Sequence, residues 1–146
     1  MNYDPLVVAN KIVELKDNQL TIMELLKLQY IAHGYSLAIL DKPLFNGAIE
    51  AWPYGPVIRE VYNAFRKQGI YISKTEIVNR SDTVGSEAEE ILQSVIASLG
   101  KKSGWELSAL THEESSPWTH TVAASGFYSP IPDELTKSHY KGLISQ

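Results

Sequence analysis

The run from Leu25 to Leu40 admits fewer structures than any other part of this chain. It is opened by Thr21-Ile22-Met23-Glu24, a capping box in which the threonine hydroxyl takes the amide three residues on and the glutamate reaches back to the threonine amide. Leu20 and Leu25 stand where a hydrophobic staple would close around that box. Leu25, Leu28, Ile31, Ala32, Tyr35 and Ile39 then recur at helical spacing, while Leu26, Tyr30 and Leu37 widen the apolar arc. A helix apolar over that much of its circumference has to be enclosed by its neighbours. The spacing therefore predicts a central helix ending near Leu40, with the other elements packed around it. It is not a membrane span: Lys27, Gln29, His33, Gly34 and Ser36 interrupt it, and it falls short of the ~20 apolar residues a span needs.

The flanking segments supply that enclosure. Asp4-Pro5 reads as a cap followed by proline at the first helical position, with Leu6, Ala9, Ile12 and Val13 carrying a helix to about residue 16. Pro43 to Gly47 is turn-rich, and Ala48 to Trp52 is expected to be extended because Trp52 precedes a proline. Gly55-Pro56 is expected to restart a helix, with Val57, Ile58, Val61, Tyr62 and Phe65 on one face and Gly69 as its stop. Ile70 to Ile72 is read as a short strand pairing near residue 49, and residues 73–85 as an exposed connection. Ser86 to Glu89 forms a second capping-box pattern before a helix to Gly100, and Ser103 to Glu106 a third before a short helix through Leu110. Pro117, Pro130 and Pro132 punctuate the remainder of the chain, and Asp133 to about Leu143 is a terminal helix. The expectation is a mainly α, compact single-domain helical bundle of six or seven helices over residues 1–146, with at most a small β-hairpin. A chain of this size can bury roughly 68–70% of its unfolded surface, enough for one ordinary core.

Chemistry is sparse. With no cysteine there is no disulfide, thiolate zinc site, thiol nucleophile or iron–sulfur cluster. Neither a phosphate-binding glycine motif nor a Gly-x-Ser-x-Gly elbow occurs. His112-Glu113-Glu114-Ser115-Ser116 lacks the second histidine of a zinc-protease helix. His112 and His120 could converge across a loop with Glu113 or Glu114, but His112 is more simply read as ending a helix, where a cation suits the dipole. Glu87, Glu89 and Glu90 lie in a first helical turn, where the dipole accounts for them. The reading is a non-enzyme with no metal and no cofactor. Thirteen Lys and Arg against 17 Asp and Glu give a net charge of -4, and the central helix offers only Lys27 as a cation. Nucleic acid is therefore not an expected partner. An acid near the N-terminus, where a signal peptide would carry cations, points to a soluble cytoplasmic protein with no membrane partner.

The segment Glu50-Ala51-Trp52-Pro53-Tyr54-Gly55-Pro56-Val57 stands apart. Two prolines, a glycine and two large aromatics leave it little conformational freedom. Two readings stay open at this point. It is either a rigid core corner, with Trp52 buried, Pro56 starting a helix and Glu50 tied to a nearby amide or base, or a preset interface whose aromatics act as binding anchors. The residues alone favour the corner.

The order of motifs resembles the SocA-like and GepA-like antitoxin family, the Panacea domain, found in prophages and bacterial toxin–antitoxin operons. Leu25-Leu26-Lys27-Leu28-Gln29-Tyr30-Ile31-Ala32 is similar to its L-K-L-Q-K-L-x-Y-x-A helix. Pro43-Leu44-Phe45 and the segment Glu50 to Val57 are similar to its P-L-F and E-A-W-x-x-G-P-V strings. Leu107 to His112 followed by Pro117-Trp118 is similar to its closing L-x-x-L-[ST]-H and P-W elements. The chain departs in having Tyr30 directly after Gln29 and four residues between His112 and Pro117.

The resemblance implies a non-enzymatic antitoxin that neutralises a cognate protein toxin, encoded beside it, by direct contact. It points to Glu50, Trp52, Tyr54 and Arg59 as partner-binding residues, with Tyr62 and Phe65 supporting. Leu28, Gln29, Tyr30, Gly55, Pro56, Val57, His112, Pro117 and Trp118 are expected to support the motif. If the motif residues only hold the fold, the 73–85 connection becomes the contact. The alternatives from other classes are a proteolytic adaptor that delivers a partner for degradation, and a phage-encoded DNA-binding regulator.

Overall fold

Thr21 caps the central helix as the sequence predicts: its hydroxyl accepts from the Glu24 amide at 3.2 Å, and the Glu24 carboxylate accepts from the Thr21 amide at 2.8 Å. The structure, a computed structural model, describes residues 2–145. In chain order it contains α1 (Pro5–Leu15), α2 (Ile22–Leu40), β1 (Ile49–Trp52), β2 (Gly55–Ile58), α3 (Arg59–Phe65), α4 (Ser86–Leu99), α5 (Gly104–Thr111), α6 (Pro117–Ser125) and α7 (Asp133–Ile144). Among the described residues, seven helices and one two-stranded antiparallel hairpin make the fold mainly α. No described helix is long and apolar enough to cross a membrane.

α2 is enclosed by α1, α3, α4, α5, α7 and β2. Its residues from Leu25 through Gly34 are all buried, and four polar side chains go inside with them: Lys27, Gln29, His33 and Ser36. Leaving a buried polar group unpaired costs about 1–3 kcal/mol, and each of these side chains bonds to another segment, Gln29 through its Nε2 only, with its buried Oε1 unpaired. Lys27 Nζ donates to the Pro56 carbonyl at 3.0 Å, and Gln29 Nε2 to the Pro5 carbonyl at 2.9 Å. Ser36 donates to the Lys42 carbonyl at 2.7 Å. His33 Nδ1 accepts from the Leu44 amide at 3.2 Å, which leaves Nε2 to donate to Asp133 Oδ1 at 3.0 Å. The central helix thus holds the hairpin, the start of α1, the following turn and the start of α7. Tyr30 is buried between α2 and α7 with its hydroxyl 3.4 Å from Thr136, and burial pushes its phenol up to about 12.

Several elements form where local signals place them. Asp4 accepts from the Leu6 amide at 2.8 Å and Pro5 occupies the first position of α1. Ser103 and Glu106 complete the expected capping box of α5. Ser116 caps α6 with Pro117 at its first position, and α7 follows the expected bounds closely. The 73–85 connection has no regular structure, as expected, but it is pinned: buried Asn10 exchanges hydrogen bonds with the Thr75 backbone at 2.9 and 3.1 Å.

Four expectations are corrected. Gly55-Pro56 does not start a helix; residues Gly55–Ile58 form β2, in register Ile49↔Ile58, Glu50↔Val57, Ala51↔Pro56 and Trp52↔Gly55. Gly55 at φ +119° is incompatible with a helical turn. Ala51 turns its amide to the Ser129 carbonyl and its carbonyl to the Tyr128 amide, so nothing opposite Pro56 requires the missing proline N–H. Ile70 to Ile72 is not a strand, because Ile58 already faces Ile49; Ile70 and Tyr71 are exposed, and Ile72 is buried with its amide on the Leu20 carbonyl. Ser86 is the first residue of α4 rather than its cap, which is Gly85. Ile39 is not core: at 59% exposure it projects past the neighbours that cover the rest of α2.

α7 approaches α2 closely at Gly34, where an added Cβ would overlap the Tyr140 ring. Tyr140 also meets Tyr35 edge-on at 4.9 Å and Tyr30 at 6.2 Å, so the ring has no open direction. Gly34→Ala is expected to cost about 1–3 kcal/mol by overpacking, lowering the thermal midpoint by several degrees. Gly142→Ala, on α7 with nothing within 4 Å of its position, should leave it unchanged or raise it slightly. Thermal denaturation followed by circular dichroism compares the two.

Candidate functional site

The hairpin tip is the site around which the sequence motifs gather. Gly55 must be glycine there for two reasons: its positive φ, and an added Cβ that would lie 3.0 Å from both Lys27 Cε and Thr111 Oγ1. Close approach to α2 and α5 seats the turn on the body of the molecule. Its carbonyls are then taken one after another by side chains from three helices. Trp118 Nε1 of α6 donates to the Trp52 carbonyl at 2.7 Å. His112, the C-terminal cap of α5, places Nε2 3.1 Å from the Pro53 carbonyl and Nδ1 2.6 Å from the Ser108 carbonyl. Ser108 Oγ donates to the Tyr54 carbonyl at 2.6 Å, and Lys27 of α2 holds the Pro56 carbonyl from beneath.

The side chains of the segment sort by depth. Glu50 Oε1 accepts from Trp52 Nε1 at 2.9 Å and from Arg59 Nη2 and Nε at 2.9 and 3.2 Å. Burial pushes the Glu50 carboxyl up, but the hydrogen bonds from Trp52 and Arg59 and the guanidinium charge outweigh it, so it titrates below its ordinary value. Trp52 is half-buried, set edge-on between Tyr62 at 4.9 Å and Tyr128 at 5.5 Å. Trp118 packs against His112 at 4.0 Å and extends toward Phe127 at 6.3 Å. Tyr54 and Trp105 face solvent together, 63% and 68% exposed, with ring centroids 6.1 Å apart. Phe127, near Trp118, and Tyr128, against Trp52, are also exposed, as is Arg59 on Glu50. Offset and edge-on aromatic pairs of this kind add about 0.5–1.5 kcal/mol beyond area.

The segment divides by depth. Its backbone is a clamped corner; Tyr54 and its neighbours are a presented surface. Phe65, expected to support a partner contact, is fully buried in the core and presents nothing to a partner. Tyr62 is half-buried behind Trp52. Leu28, Gly55, Pro56, Val57 and Pro117 are buried supports, and Gln29 and Tyr30 belong to the α2 packing. His120 is exposed on α6 and does not join His112; among the described residues no cluster of three or more His, Asp or Glu could hold a metal.

Sequence reasoning missed Ser108, Trp105, Phe127 and Tyr128, and it noted Lys27 as the central helix's one cation without assigning it the clamp role. Trp105 is an apolar residue in an exposed first turn, which is a weak signal by itself. Tyr128 adopts φ +69°, a conformation that for an aromatic residue marks an imposed local geometry; here the bond from its amide to the Ala51 carbonyl imposes it.

Fold and site together define a small, mainly helical domain built around a clamped β-hairpin that carries an exposed aromatic surface. Residues 25–119 match the family model described as antitoxin SocA-like, Panacea domain, and the chain belongs to that family. It is 32% identical over 136 residues to the antitoxin SocA of Caulobacter vibrioides (strain NA1000 / CB15N), spanning 84% of this chain and 71% of that protein. No solved structure matches the chain.

Lys27 gives the clamp a pH signature. Burial alone lowers its ammonium from 10.5 to about 8. Between those values the unfolded chain binds more protons there than the folded one, so this group's contribution to stability rises with pH across the window and is lowest below it. Relative to Lys27→Met, the native protein should gain on the order of 2 kcal/mol between about pH 8 and about pH 10. Urea denaturation of both proteins at several pH values measures the difference; parallel pH profiles would show that Lys27 stays charged in the fold.

Proposed function

We propose that this protein is a cytoplasmic, non-catalytic antitoxin that neutralises a cognate toxin, encoded beside it, by stoichiometric protein–protein binding through the aromatic surface at the hairpin tip. The observation that carries the reading is the division of labour at the turn. The carbonyls of Trp52, Pro53, Tyr54 and Pro56 are held from within, while Tyr54 and Trp105 face outward. A partner meeting rigid aromatics incurs little ordering cost, which is why such residues dominate binding energy. Glu50 acts as the positioning group, fixing the Trp52 indole and the Arg59 guanidinium on one oxygen. Arg59 then offers an oriented cation at the rim of an apolar patch, the arrangement typical of specific interfaces. Family membership supports the antitoxin role.

A second contact is favoured by the exposure of Ile70, Tyr71 and Ile77 at 77%, 64% and 69% on and beside the 73–85 connection. The two surfaces are separable by mutation. The products of the flanking genes are expressed singly and then together with this protein, and growth is followed. One neighbour should arrest growth, co-expression should restore it, and the toxin should persist in rescued cells as a complex. Tyr54→Ala/Trp105→Ala, confined to exposed side chains, should leave the thermal midpoint nearly unchanged and abolish both rescue and co-purification. Retained rescue in that variant, with loss in Ile77→Glu, would move the contact to the connection. Loss of the toxin itself in rescued cells would favour an adaptor for degradation.

A further inference from the structure

The exposed end of α2 forms a second surface, independent of the hairpin site. Ile39, left uncovered by the fold, and Ile144 of α7, 48% exposed, stand over a groove of about 530 Å³ floored by Ile91 and Val95 of α4. A volume of that size is in the range of specific binding sites. The charged side chains lining it are all acidic: Glu87 and Glu90, one turn apart on α4. Neither forms an ion pair among the described residues, whereas the intervening Glu89 is taken by Lys11 at 2.8 Å. The groove therefore combines an apolar floor, rimmed by exposed Ile39 and Ile144, with two exposed carboxylates along one wall that no basic side chain among the described residues pairs.

We infer that this groove is a docking site for a cationic amphipathic helix of another protein, its branched apolar side chains filling the space beside Ile39, Ile91 and Val95 and its Lys or Arg residues meeting Glu87 and Glu90. The two carboxylates are three residues apart, so they lie on one face of α4 and match cations one helical turn apart on the incoming segment. A second copy of this chain docking through the same face would oppose acid to acid, which charge complementarity disfavours. Lys27, under the hairpin, and Ile39 are twelve positions apart on α2, about 18 Å along the helix axis. Occupancy of the groove is thus separate from occupancy of the aromatic surface, and the inference does not rest on the antitoxin reading.

The test uses the full chain and a labelled synthetic helix with leucines at i, i+3, i+4 and i+7 and lysines on the flanking positions, followed by fluorescence anisotropy. Two control peptides keep the composition with scrambled order, or replace lysine by glutamate. The native protein should bind the cationic helix and neither control. Glu87→Gln/Glu90→Gln should weaken binding about fivefold and flatten its salt dependence. Ile39→Ser should weaken it about tenfold. All three substituted side chains lie at the surface, so the variants should stay folded, with the thermal midpoint of Glu87→Gln/Glu90→Gln lowered only slightly by the lost helix-dipole interaction, and Tyr54→Ala/Trp105→Ala should bind normally. Equal binding of the scrambled or anionic peptide, or unchanged binding by the groove variants, would overturn the proposal. So would sedimentation showing a dimer that Ile39→Ser converts to monomer, since a second copy would then be the occupant.

Discussion

A lysine ammonium buried beneath a β-hairpin, hydrogen-bonded to a backbone carbonyl, is the interaction on which the site depends. Desolvating such a group is expensive, and Lys27 is 1% exposed. An alkyl side chain of similar volume would fill the space without that cost. It would also leave the buried Pro56 carbonyl without the donor that holds β2 down on α2. The lysine stem fills the gap under Gly55, where any Cβ would collide with it, and its head fixes the strand beyond the turn. Helix and hairpin motifs far apart in the chain are in this way two halves of one contact.

The same logic extends around the turn. A tight turn exposes carbonyls that its own ladder cannot satisfy, and here Trp118, His112 and Ser108 take those of Trp52, Pro53 and Tyr54. These donors come from α5 and α6, so the hairpin is complete only when the C-terminal half of the domain is folded onto it. Residues 128–131 reinforce the outer edge of β1, pairing with Ile49 and Ala51. The turn is consequently rigid, although it stands at the surface and carries Tyr54 into solvent.

What was legible in the sequence was mostly what is decided within four residues. The caps at Asp4, Thr21 and Ser103 are short-range hydrogen bonds, and each formed as expected. The apolar arc of α2 was legible because burial on nearly all sides leaves a period-independent excess of Leu, Ile and Tyr. Gly55-Pro56 was misread because proline suits both a helix start and a strand position without a required N–H, and the choice was made by Ala51 turning toward Ser129. Ile39 fits the helical period of the core, yet periodicity carries no information about where neighbouring helices end. Ser108 and Lys27 were illegible as clamps because their partners lie 54 and 29 positions away. The segments that carry the antitoxin-family resemblance meet in the fold, and most of their polar groups face one another.

Under the proposed function, that inward orientation bears on how a partner would be chosen. Lys27, Ser108, His112 and Trp118 cannot exchange their hydrogen bonds for contacts with another protein without releasing the hairpin, so they are poor carriers of specificity. The two positions that the family string E-A-W-x-x-G-P-V leaves open are Pro53 and Tyr54, at the tip of the clamped turn. Tyr54 is paired on the surface with Trp105, which belongs to no part of the motif. A domain built this way can change the exposed side chains at its tip at small cost to stability. The clamp beneath them stays the same, so the fold can tolerate different side chains at this surface.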